Sequence, residues 1–111
     1  MKTVFFHENE LTIAYELDFI DSINYPSAGQ KFNFNFGISI KHPKDSPNRK
    51  IGNSVAEGRK TIVELEVSTV TIGHDGNIML WATDSERKFK FYFEKKRNNK
   101  NFYLGGMTCL K

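Results

Sequence analysis

Hydrophobic and polar residues alternate along much of this chain. Apolar side chains fall at every second position over 11–19 and 32–40, and the same spacing recurs over 63–67 and 89–93. A period of two is typical of a β-strand that has one buried and one solvated face. The pattern therefore predicts strands, and it assigns the three phenylalanines of 89–93 to the core.

Two local signals refine this pattern over residues 67–77. Beyond Val67 the apolar residues change phase, because Val70 and Ile72 lie on the opposite parity. One extra residue in the strand, a β-bulge, restores the alternation. The Asp75-Gly76 pair supplies the positive φ of a tight hairpin turn. We therefore expect a bulge at positions 68 and 69, followed by a β-hairpin.

The run from 78 to 82 is apolar at every position. A continuous apolar run is typical of a central strand that is covered on both faces. This pattern places Trp81 in the core rather than on the surface as a sugar-stacking platform. Gly105 and Gly106, inside the last predicted strand, indicate a bulge or a close approach of backbone.

The segment over 42–60 is punctuated by proline and glycine and carries few apolar residues. Ser54 and Glu57 have the spacing of a capping box, which predicts at most one short helical turn there. With about seven predicted strands, the fold class is all-β: an antiparallel β-sandwich or a partly closed barrel. We expect residues 1–111 to form a single β domain.

Composition adds constraints on the class of protein. The chain has 111 residues, of which 39% are hydrophobic and ten are phenylalanine, and this is enough apolar surface for a folded domain. A single cysteine, Cys109, cannot form an intrachain disulfide, so a reducing cytoplasm is expected. Only Val4, Phe5 and Phe6 are consecutively apolar near the start, so we expect neither a signal peptide nor a membrane anchor.

Positive charge is concentrated near the end of the chain. Residues 87–100 carry seven cations and one opposing acid, Glu94, with aromatic residues interleaved. Cations that follow phosphates and aromatic rings that stack on bases are the chemistry of single-strand nucleic-acid binding. The parity of the strand argues against this function, because Lys88 and Lys90 share a face with Tyr92 while the phenylalanines point the other way.

Catalytic and metal-binding motifs are absent from the sequence. The histidines, His7, His42 and His74, are isolated, no serine lies in a nucleophile elbow, and no pair of ligands has zinc spacing. We therefore expect no cofactor, no metal and no enzymatic activity. One enzyme alternative stays open, a small ribonuclease that uses two of these histidines as acid and base.

By elimination, the sequence predicts a protein-binding module of the inhibitor or immunity type, which forms a hetero-complex and covers the active site of its partner. A single-stranded nucleic-acid-binding barrel is the alternative, and no membrane partner is expected. The residues expected to contact the partner are basic: Arg87, Lys88, Lys90, Lys95, Lys96, Arg97, Lys100, Lys44, Arg49 and Lys50.

Overall fold

The computed structural model describes residues 3–17, 27–41, 49–99 and 101–110. It contains seven strands and one helix in the described ranges. In chain order these are β1 (Val4–Glu8), β2 (Leu11–Leu17), β3 (Lys31–Ile40), α1 (Arg49–Gly58), β4 (Thr61–Ile72), β5 (Ile78–Asp84), β6 (Phe89–Lys95) and β7 (Tyr103–Cys109).

All seven strands belong to one antiparallel sheet, and their order in the sheet is their order along the chain. Each strand therefore pairs with its neighbour in sequence. The predicted all-β antiparallel fold of about seven strands is confirmed.

Both local predictions for β4 and β5 are confirmed. The register between the two strands shifts between Val67 and Thr69, which is the predicted bulge. The hairpin closes where the amide of Gly73 donates to the carbonyl oxygen of Asn77 at 2.8 Å. Gly76 has a φ of 85° inside this turn, so a residue with a side chain would be strained there.

The described chain divides into two compact units, one within Met1–Glu16 and Phe34–Val63, the other within Leu17–Asn33 and Glu64–Lys111. The expectation of a single domain stays a prediction.

In the first unit, helix α1 packs against β2 and β3. A Cβ at Gly37 would overlap the carbonyl oxygen of Ala56 and lie 2.7 Å from the backbone nitrogen of Lys60. A Cβ at Gly52 would lie 3.2 Å from Oγ1 of Thr12. Gly52 and Ala56 are four residues apart and share one face of the helix, so small residues let α1 lie close to the sheet.

This packing corrects two expectations for the first unit. Helix α1 has ten residues rather than one turn, and Ser54 lies inside it rather than at its N-cap. The helix is held by tertiary contact, which local capping signals do not report. The supposedly solvated face of β2 is also covered, since Thr12 is 8% exposed and Ala14 is 0% exposed.

In the second unit, alternate side chains of the sheet form the core. Phe91, Phe93 and Leu80 are each 0% exposed. The ring of Phe32 meets that of Phe93 edge-on, with centroids 6.0 Å apart. Burial of each such phenylalanine contributes roughly 2–3 kcal/mol, so these residues hold the unit together.

Helix α1 lacks the length and the apolar character needed to cross a bilayer, and no other helix occurs in the described ranges.

Candidate functional site

Trp81 is not a core residue. Along β5, Ile78, Leu80 and Ala82 are buried, while Met79 and Trp81 alternate with them and stay half-buried. The expectation that 78–82 is covered on both faces is therefore wrong. Strand alternation applies even in this continuous apolar run, because each successive side chain must point to the opposite side of the sheet.

The pairing registers define which residues accompany Trp81. Directly paired residues of antiparallel strands point to the same side of the sheet. We call this side of β4–β7 the open face. Its three rows of paired residues are Glu66, Thr83, Lys90 and Thr108; Thr69, Trp81, Tyr92 and Gly106; and Thr71, Met79, Glu94 and Tyr103.

An aromatic pair lies at the centre of the open face. The rings of Trp81 and Tyr92 meet edge-on, with centroids 5.0 Å apart and an interplanar angle of 89°. This is a favourable geometry for two aromatic rings. Ser68 Oγ donates to the carbonyl oxygen of Trp81 at 3.0 Å, which ties the β4 bulge to the backbone beneath the pair.

Gly105 supports the ring of Tyr92. A Cβ at Gly105 would lie 2.8 Å from Cδ1 of Tyr92, so the tyrosine ring rests directly on glycine backbone. The register of β6 and β7 also shifts between Tyr92 and Phe93. The close approach and the bulge expected around Gly105 and Gly106 are both present.

Tyr92 is also hydrogen-bonded on the open face. Its hydroxyl donates to Oε2 of Glu94 at 3.3 Å. Burial first, and then the negative charge of Glu94 and this hydrogen bond, raise the pKa of the Tyr92 hydroxyl above 10.0. Tyr92 is therefore a neutral, oriented side chain at physiological pH.

The basic residues expected to bind a partner are spread over several regions. Arg87 and Lys88 precede β6, Lys90 lies on the open face, and Lys95, Lys96 and Arg97 lie at the far end of the strand. The ends of β6 are about 20 Å apart, given about 3.3 Å per residue.

The remaining basic candidates lie elsewhere or outside the described structure. Lys50 is exposed on helix α1, and Arg49 is the first residue of that helix. Lys44 and Lys100 lie outside the described residues.

The two ends of β6 differ in how their cations are partnered. Before the strand, Nζ of Lys88 lies 2.7 Å from Oε2 of Glu86. The hydrogen bond and charge of Glu86 raise the pKa of Lys88. After the strand, Lys95, Lys96 and Arg97 form no ion pair with any described residue.

The structure describes two of the three histidines. His7 Nδ1 and Thr12 Oγ1 are hydrogen-bonded at 3.2 Å, while His74 is exposed in the β4–β5 turn. His42 lies outside the described residues. Among those that are described, no three histidine, cysteine, aspartate or glutamate side chains are grouped to hold a metal ion.

Sequence reasoning placed Lys90 and Tyr92 on the side away from the phenylalanines, but it missed that Trp81 lies on the same side. Ile78, Leu80 and Ala82 occupy alternate positions, as the residues of one buried face do. Strand alternation applied to this run would have predicted that Trp81 points to the opposite side. Comparison of the chain with protein-family models, with curated proteins and with solved structures found no match.

Proposed function

We propose that this chain is a non-catalytic protein-binding module of the inhibitor or immunity type, which acts by covering the active site of a partner protein. The open face is the docking surface in this proposal. The observation that carries it is the half-exposed pair of Trp81 and Tyr92 at the centre of a hydrogen-bonded sheet. Tryptophan and tyrosine are enriched among the residues that dominate binding energy at protein interfaces.

Rigidity of the open face supports the proposal. Tyr92 is held by Gly105 below its ring and by Glu94 at its hydroxyl, and the backbone of Trp81 is held by Ser68. Side chains that are already ordered lose little conformational entropy on association. A preformed aromatic platform of this kind favours tight binding of a rigid partner surface.

The charges on the open face favour a protein partner over a nucleic acid. Glu66 and Glu94 lie on the same face as Lys90, so the surroundings of the aromatic pair are of mixed sign. A phosphate backbone that crossed this face would meet both carboxylates. A mixed polar rim around an aromatic centre is instead the ordinary composition of a protein interface.

Single-stranded nucleic acid is the second candidate, because Lys90 and Tyr92 share the open face. Phe91 and Phe93 are 0% exposed and cannot stack on bases. This alternative requires an affinity that falls steeply with salt concentration. We assign the module to the cytoplasm as part of the proposal, where the exposed free thiol of Cys109 is expected to stay reduced.

A pull-down from nuclease-treated lysate of the source organism, followed by reconstitution with the purified partner, tests the proposal. Trp81→Ala should weaken the reconstituted complex at least about tenfold, because it removes the centre of the docking surface. Ile72→Ala is the matched control, since Ile72 is 59% exposed and pairs with Ile78 on the other side of the sheet. The wild-type chain should also inhibit the activity of the partner.

Two results would refute the proposal. One is binding that disappears after nuclease treatment, which assigns the surface to nucleic acid. The other is equal affinity of the wild-type chain and Trp81→Ala when both are equally stable, which removes the open face from the interface.

A further inference from the structure

Two turns lie side by side at one end of strands β4–β7. The first, residues 73–77, joins β4 to β5, and the second, residues 96–99, lies between β6 and β7. The amide of Arg97 donates to Oδ1 of Asn77 at 3.0 Å. A Cβ at Gly76 would lie 3.2 Å from Cγ and Cδ of Arg97, so the arginine stem runs along the glycine backbone. We call these segments the paired turns.

Asn77 forms hydrogen bonds with Asp75 of the first turn and with the backbone of Arg97 in the second turn. Its side-chain amide donates to Oδ2 of Asp75 at 3.0 Å, and its backbone amide donates to Oδ1 of Asp75 at 3.1 Å. Both carboxylate oxygens of Asp75 are thus engaged within their own turn. The other end of the Asn77 amide accepts from the backbone of Arg97, which orients the second turn without neutralising it.

The cations of the paired turns lack the carboxylate partners that three lysines of the described chain have, as Lys95 also does. Lys31, Lys60 and Lys88 each lie within 4.0 Å of a glutamate oxygen. Lys96 and Arg97 are exposed, are adjacent in sequence and have no described carboxylate as an ion-pair partner. An arginine whose stem is held along Gly76, and whose guanidinium pairs with no described carboxylate, is well suited to bind a carboxylate through two parallel hydrogen bonds.

A small pocket connects the paired turns to the open face. Its volume is about 320 Å³, and it is lined by Glu94, Lys96, Asn99, Tyr103, Leu104 and Gly105. Glu94 and Tyr103 belong to the open face, whereas Lys96 and Asn99 belong to the second turn. The pocket has apolar walls beside a cation, so it fits an apolar side chain that is followed by an acidic one.

We propose that the paired turns and this pocket bind an acidic segment of the protein partner, with acidic side chains on Lys96 and Arg97 and an apolar side chain in the pocket. The inference rests on the proposed function and adds the chemistry of the partner. Charge complementarity selects this occupant. Glu94 in the pocket wall disfavours a second acid there, so in this proposal the apolar side chain occupies the pocket and the acidic side chains lie at the exposed Lys96 and Arg97.

Fluorescence anisotropy with a short labelled peptide, aspartate and glutamate residues around a single leucine, tests the inference. The wild-type chain should bind this peptide more tightly than an oligothymidylate of equal charge. Lys96→Glu should weaken binding at least about tenfold, because it replaces an attraction with a repulsion. Lys88→Glu, the same substitution at a lysine paired with Glu86, should change it less than about twofold.

A second variant keeps the charge and removes only the orientation. Asn77→Ala should weaken peptide binding about threefold, since Arg97 loses the acceptor for its amide. Absence of peptide binding, equal effects of Lys96→Glu and Lys88→Glu, or tighter binding of the oligonucleotide would each overturn the inference. Failure of the peptide to bind, while Trp81→Ala still disrupts the reconstituted complex, rejects the acidic segment and leaves the proposed function standing.

Discussion

In both β2 and β5, alternate side chains point away from the core and form a second face of the strand. This second face is covered in β2 and half-exposed in β5. On β2 this face carries Thr12, which lies beside Gly52 of helix α1, and Ala14, and both residues are buried. On β5 it carries Met79 and Trp81, which stay half-exposed. At these positions β2 has small side chains, whereas β5 has large ones.

The difference follows from what each face packs against. A helix can approach a sheet closely only where side chains are small, and Gly37 shows that even a methyl group would be too large there. Large side chains such as Trp81 prevent such an approach but supply contact area to a separate molecule. Residue size at the outward positions therefore distinguishes the covered face of β2 from the half-exposed face of β5.

The strongest test of this comparison is one substitution made on both faces. Ala14→Lys should lower the free energy of unfolding by more than about 4 kcal/mol, because it places a charge at a position that is 0% exposed. Met79→Lys should change it by less than about 1 kcal/mol, since Met79 is half-exposed and pairs with Glu94. Urea denaturation followed by circular dichroism measures both. Similar losses at the two positions would contradict the comparison.

A smaller effect is expected from one methyl group beneath the helix. Gly37→Ala should cost about 3 kcal/mol or more, because its Cβ meets backbone atoms of Ala56 and Lys60 that cannot rotate away. Gly58→Ala is the control: no atom lies within 4 Å of its Cβ position, and its cost should stay within about 0.5 kcal/mol. The same denaturation experiment compares them, and equal stability of the two variants would show that α1 does not pack closely at Gly37.

The smallest effect concerns the open face alone. The pKa of Tyr92 is raised in the folded state, so the stabilising contribution of its neutral hydroxyl is present below pH 10.0 and is lost as the pH rises through the folded pKa. Absorbance titration of the wild-type chain and of Tyr92→Phe should identify one tyrosine that ionises late. Glu94→Gln should move this transition to lower pH, because the charge of Glu94 is lost. The increase in the Tyr92 pKa that burial causes should remain. An unchanged titration in Tyr92→Phe would contradict the assignment.

Alternation alone was enough to predict most of the sheet. It gave the strands, the bulge after Val67 and the inward direction of Phe91 and Phe93, since strand geometry fixes side-chain direction within each element. The hairpin followed from Asp75-Gly76, whose backbone preference is local. These features depend on residues that are near one another in sequence.

Features that depend on tertiary contact were not predictable in this way. Helix α1 forms where the sequence indicated a loop, and its Gly52 and Ala56 lie against strands that are distant in sequence. The basic segment was visible in the sequence, but the pairing of Lys88 was not. Asp84 accepts hydrogen bonds from the amides of Lys88 and Phe89 at 2.8 and 3.0 Å. Lys88 and Glu86 form their ion pair in the turn that these bonds close.

The extra residue in β4 also determines what surrounds the aromatic pair. A regularly paired strand would direct Val70 and Ile72 outward beside Trp81, whereas the shifted register directs Thr69 and Thr71 there. Threonine hydroxyls keep this flank wettable, while an aliphatic flank would extend the exposed apolar surface and promote self-association. A single inserted position thus determines whether threonines or aliphatic side chains flank the aromatic pair.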